Sequence, residues 1–154
     1  MTKAAKVSLP RHRVLHSGIP AIAAVETDSQ RRCERALDIL LTQRGDASAE
    51  VDQLLADDPG CVFGHCLRAA LIVRAESAAS RSALGASIAA IESACLDAGD
   101  PALRHALAAR GWLNGDSAHA VALYGAILSD RPRDVLALAV AHALDFHLAG
   151  SIDC

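Results

Sequence analysis

Apolar residues recur along most of the chain at the three- and four-residue spacing of a helix face. The two-residue alternation of a half-buried strand is absent. Seven such stretches can be read between residues 28 and 150, each bounded by capping or breaking residues. The first, R-R-C-E-R-A-L-D-I-L-L-T, follows Thr27, Asp28 and Ser29, any of which can cap it, and R-G-D at 44–46 ends it. The second, A-E-V-D-Q-L-L-A-D, starts from Asp46 or Ser48 and stops before Asp58-Pro59, because the residue preceding a proline is pushed out of the α region. A third reads C-V-F-G-H-C-L-R-A-A-L-I-V-R-A, and a fourth spans about 80–98. G-D-P at 99–101 then supplies a cap and a proline at the first helical position for A-L-R-H-A-L-A-A-R-G-W-L. N-G-D at 114–116 separates this from S-A-H-A-V-A-L-Y-G-A-I-L, which ends before Arg131-Pro132. Arg133-Asp134 opens the seventh helix, which ends at Gly150.

Composition supports an all-α chain. It is 52% hydrophobic but only 3% aromatic, so the apolar content is mostly alanine and leucine, both strong helix formers. Small side chains also let helices approach closely. The prolines that precede new helices, Pro59, Pro101 and Pro132, add a coarse period. The outer two are 73 residues apart, close to twice the ~34-residue tetratricopeptide repeat. Ala108, Gly115, Ala120, Tyr124 and Pro132 fall in the order of one such repeat, although Ile127 stands where a small residue is more usual. The expected fold is therefore a tetratricopeptide-like α-solenoid of about seven short antiparallel helices, with a compact bundle as the alternative. Residues 1–27 read as a basic arm broken by Pro10 and Pro20, and 28–154 as the helical-repeat domain.

Three stretches resemble the tetratricopeptide repeat protein 38-like family. They are D-D-P-G-C-V-F-G-H-C-L-R-A at 57–69, W-L-N-G-D-S-A-H-A-V-A-L-Y-G-A-I-L-S-D-R-P-R-D-V-L-A-L at 112–138, and A-H-A-L-D-F-H-L-A-G at 141–150. The resemblance covers roughly residues 30–150 and corresponds to the N-terminal part of longer family members. Those members carry an arginine–glutamate pair shortly before the histidine equivalent to His105, where Pro101 and Ala102 stand here. The resemblance implies a helical-repeat fold more than a chemistry.

Charge and cysteine content narrow the function. A formal charge of −3 argues against a general nucleic-acid binder. The basic exception is the arm, with Lys3, Lys6, Arg11, His12, Arg13 and His16. No stretch approaches the ~20 apolar residues of a membrane span. The apolar run at 19–25 is shorter than a signal-peptide core and is interrupted by Pro20. Five cysteines without framework spacing fit reduced thiols, so a cytoplasmic setting is expected, with no cofactor and no nucleic-acid or membrane partner. Cys61 and Cys66 flank His65, but five-residue spacing on a helix points two side chains apart, which favours buried structural cysteines. Hydrolase, phosphate-loop and dinucleotide motifs are absent. Cysteine–histidine catalysis would fall to Cys66 or Cys95, and nothing in the sequence lowers their pKa.

The polar residues of the last helix are the candidate site. His142, Asp145 and His147 interrupt A-V-A-H-A-L-D-F-H-L-A-G. At about 100° per residue, His142 and Asp145 lie about 60° apart, whereas His147 lies about 140° from His142. One helix therefore offers only the His142–Asp145 pair. His105, in the preceding first-helix position, and then His65 are the donors that stacked repeats would bring alongside. One reading makes His65, His105, His142 and Asp145 a cluster for a metal or polar ligand, in an accessory protein for small-molecule or metal binding. The other makes them a hydrogen-bonded packing device that fixes helix register in an alanine-rich core.

The last helix is also apolar on more than one side. Leu136, Val140, Leu144 and Leu148 form one stripe, and Phe146 and Leu138 lie elsewhere. With no polar capping helix encoded after it, this helix is expected to pack on a second copy or another protein through Leu136, Val140, Leu144, Phe146 and Leu148. The functional expectation is a non-enzymatic scaffold for protein–protein interaction or self-association.

Overall fold

The computed structural model describes residues 27–150, together with the backbone of two short strands. Arg13–Val14 and Pro20–Ala21 pair antiparallel. The rest of the basic arm, including Lys3, Lys6, Arg11, His12 and His16, and the terminal Cys154 lie outside the described residues.

Side-chain caps set most helix starts. Thr27 accepts the Gln30 N–H to open α1 (Asp28–Thr42), and Asp46 accepts the Ala49 N–H to open α2 (Ala47–Asp57). Cys61 caps α3 (Val62–Arg74) through its sulfur. A 3-10 turn, Ala78–Ser80, leads into α4 (Arg81–Ala94). Asp100 accepts the Ala102 N–H ahead of α5 (Pro101–Leu113), and Asp116 accepts the His119 N–H ahead of α6 (Ser117–Asp130). Asp134 accepts the Ala137 N–H at the start of α7 (Val135–Gly150). Each oxygen cap satisfies an otherwise orphaned amide and contributes about 1 kcal/mol. The chain is thus all-helical among the described residues beyond the strand pair.

One boundary differs from expectation. The fourth helix stops at Ala94 rather than near 98. Cys95 is extended, Asp97 accepts the Gly99 N–H, and the Asp100 N–H returns to the Asp97 carbonyl. This aspartate-centred turn competes with the helix for backbone groups, and it leaves Leu96 97% exposed.

Consecutive helices pack on one another throughout, and α3 is the hub. It touches α1, α2, α4, α5 and α7. Its approach to α2 is close enough that a Cβ at Gly64 would stand 2.9 Å from a Leu55 methyl and 3.0 Å from a Leu54 methyl. The core is built from Leu54, Leu67, Leu84, Ile88, Ile91, Tyr124, Ile127 and Leu144, with fully buried alanines on α1, α5, α6 and α7. Trp112 and Tyr124 are both buried in it.

The seventh helix packs on α3 as well as α6. Its far end is tied to the turn after α3, where His147 Nδ1 lies 3.5 Å from the Glu76 carboxylate. This double contact buries three of the five residues expected at an interface. Leu136, Val140 and Leu144 are buried inside the chain itself, because α3 covers the side that α6 leaves open. Phe146 remains exposed and Leu148 half-buried. Among the described residues no helix is long and apolar enough to cross a membrane.

Candidate functional site

His105 lies one turn into α5 with its ring turned inward. Its Nε2 is 2.9 Å from Asp134 Oδ2, and their side chains are only 9% and 14% exposed. The second carboxylate oxygen accepts the Ala137 N–H at 3.0 Å, so Asp134 both caps α7 and holds α5. Burial by itself pushes the Asp134 carboxyl up. The hydrogen bond and charge of His105, the Ala137 amide and Arg131 outweigh that, and the group lies below its ordinary value. An ionised carboxylate can only accept, so His105 Nε2 donates. The tilted ring of Tyr124 stands beside His105, with centroids 6.1 Å apart.

The Cys66 thiol lies within electrostatic reach of Asp134, and Cys95 within reach of Asp100. Burial pushes the Cys66 thiol far up, and the neighbouring Cys95, Asp100 and Asp134 add to the effect. Cys95 is also raised, first by burial and then by Asp100. At both positions the surroundings disfavour the thiolate.

His65 serves a different junction. Its Nε2 donates to the Pro59 carbonyl at 2.8 Å, and its Nδ1 pairs with the buried Ser87 hydroxyl at 3.3 Å. The ring therefore ties α3 to α4 and to the turn before α3, with both nitrogens engaged. His142 and Asp145 share a face, as their three-residue spacing requires, but that face is exposed to solvent. No hydrogen bond or ion pair joins any two of His65, His105, His142 and Asp145. Among the described residues no group of three or more His, Cys, Asp or Glu side chains is placed to hold a metal ion. No buried side-chain nitrogen or oxygen among them lacks a partner.

Spacing arguments missed Asp134 as the partner of His105. The available signal was its position: a capping aspartate spends one oxygen on the helix and has a second to offer. They also missed Cys33, whose sulfur meets that of Cys61 across a gap of 28 residues in sequence. No local pattern encodes that meeting.

Two surface features remain. An open depression is lined by Asp28, Arg31, Arg32, Arg35 and Glu50. Its guanidinium groups are already matched by Asp28, Glu50 and Asp57 at 2.8–3.8 Å, so it offers little unspent positive charge. The outward side of α7 is different. Leu138 is 54% exposed and Phe146 74%, and they flank His142 and Asp145. Comparison with protein-family models, with curated proteins and with solved structures gives no match to this chain.

Proposed function

We propose that this chain is a non-enzymatic helical scaffold that binds a protein surface, a second copy of itself or another chain, through the outward face of α7. The observation that carries this reading is the exposure of Phe146 and Leu138 on that face. At about 100° and 1.5 Å per residue they lie about 80° apart around the axis and about 12 Å apart along it, on one side of the helix. Large apolar side chains exposed together on one side of a helix offer a contact surface for a partner. The buried stripe of α7 serves the chain's own core, so the contact surface is smaller than the amphipathic pattern alone suggested.

The tetratricopeptide-like arrangement and the kinship with the tetratricopeptide repeat protein 38-like family belong to the same proposal. In a stacked array, first helices of successive units touch, and the contacts of α3 with α1 and with α5 follow that rule. Contact between α3 and α7 departs from it, since those helices would stand two units apart. An array whose end folds back on its middle satisfies both observations. A cytoplasmic setting fits the reduced-thiol expectation.

The test is light scattering and hydrophobic-dye binding on the full chain, beside a Leu138→Ser/Phe146→Ser double variant. Wild type is expected to self-associate or to bind dye, and the variant to lose both while keeping its helical content and a cooperative melt. A strictly monomeric wild type that binds no dye overturns the proposal.

A further inference from the structure

Cys33 and Cys61 come from different helical segments, and their sulfurs lie 3.6 Å apart. Cys33 is on the buried face of α1 and only 4% exposed. Cys61 is half-buried at the N-cap of α3, where its sulfur accepts the Gly64 N–H at 3.4 Å. The two positions are chemically unequal. Amide hydrogens and the helix dipole at an N-terminus favour a thiolate. The hydrogen bond from Cys33 acts in the same direction, and against burial it brings Cys61 down to about 7. Cys33, which is buried and can only be the donor once Cys61 ionises, is pushed far up. The acidic groups facing the pair, Asp58 in the turn before α3 and Glu34 on α1, oppose ionisation without reversing this order. One sulfur with access to solvent thus sits against one protonated sulfur behind it.

We infer that Cys33 and Cys61 form a peroxide-responsive dithiol, in which Cys61 is oxidised first and Cys33 closes the disulfide. In the first step the Cys61 thiolate attacks one oxygen of a hydroperoxide such as hydrogen peroxide. The O–O bond breaks, hydroxide leaves and is protonated to water, and the sulfur becomes a sulfenic acid. In the second step the Cys33 sulfur attacks the Cys61 sulfur and gives up its proton. The S–O bond breaks and a second water leaves. Two thiols and one hydrogen peroxide become one disulfide and two waters, with two electrons passing from sulfur to oxygen. A disulfide needs sulfurs about 2.0 Å apart, so the 3.6 Å pair must close by roughly 1.6 Å. The bond would staple α1 to the start of α3 and close a loop that contains α2.

Among the described residues the other two sulfurs are placed differently. Cys66 is buried and held protonated, and Cys95 is raised by burial and by Asp100. Among the described cysteines the reaction therefore has a defined expected product.

The test treats the reduced full chain with a small excess of hydrogen peroxide at neutral pH. Free thiols are then counted and unreduced peptides mapped by mass spectrometry. Wild type should lose two of its five thiols and yield a Cys33–Cys61 peptide that dithiothreitol reverses. Its melting temperature should rise by roughly 5–10 °C on oxidation. Cys61→Ser keeps a good cap, so it should fold normally and consume peroxide at least about tenfold more slowly. Cys33→Ala should stop at a sulfenic acid on Cys61 that dimedone traps. Prior reaction at Cys95 or Cys154, disulfides only between chains, or an undiminished rate in Cys61→Ser would each overturn the assignment.

Discussion

His105 on α5 and Asp134 at the head of α7 are joined by a 2.9 Å hydrogen bond that solvent scarcely reaches. The same carboxylate opens α7 by accepting the Ala137 amide, so one side chain sets both where that helix starts and which neighbour it meets. Removing the carboxylate should therefore cost more than an ordinary cap. Asp134→Ala loses the cap, worth about 1 kcal/mol, and strands a buried histidine N–H, worth roughly 1–3 kcal/mol more. Asp134→Ser, which retains a capping oxygen but cannot reach His105, should lose only the second part. Urea denaturation of the three proteins checks the order wild type, Asp134→Ser, Asp134→Ala.

The Asp134 carboxyl lies below the ordinary carboxylate value, despite the opposing effect of burial. A depressed folded-state pKa means that the stabilisation is present above the unfolded value. It is lost as pH falls through the lower folded value. Wild type should accordingly shed stability between about pH 4 and the acid limit of folding. Asp134→Asn, which cannot titrate there, should show a shallower acid limb. Midpoints measured from pH 6 downward decide this, and parallel limbs would mean that Asp134 contributes nothing to the acid sensitivity.

His142 offers a contrasting case. Its ring is on the solvent side of α7, away from His105. His142→Ala should change stability by less than about 0.5 kcal/mol, as exposed substitutions do. His105→Ala, at a buried and hydrogen-bonded position, should cost several times more. Equal thermal shifts for the two variants would contradict the placement described.

These residues mark what was legible in the chain. Helix starts were legible because caps act over three residues: Asp46, Asp100 and Asp116 announce their helices locally. The face shared by His142 and Asp145 was legible for the same reason. Which face of α7 turns inward was not. An alanine- and leucine-rich helix that is apolar on several sides gives weak direction, and the decision rests on α3, whose residues lie more than 60 positions earlier. Pairings such as His105 with Asp134, and Cys33 with Cys61, arise from that packing and leave no trace in local spacing.

The inward turn of α7 can itself be tested with two neighbouring side chains. Leu144 is fully buried, whereas Phe146 two residues later is 74% exposed. If α7 packs on both α6 and α3, Leu144→Ala removes three carbons from a closed site. It should cost about 2–5 kcal/mol in transfer and cavity terms. Phe146→Ala removes a larger side chain that lies mostly in solvent, and should stay within about 0.5 kcal/mol of wild type. Side-chain size alone would rank the two the other way. Chemical denaturation at concentrations low enough to keep the chain monomeric makes the comparison clean, because association would add apparent stability to wild type and not to Phe146→Ala. A costly Phe146→Ala beside a cheap Leu144→Ala would show that α7 presents the opposite face to the core.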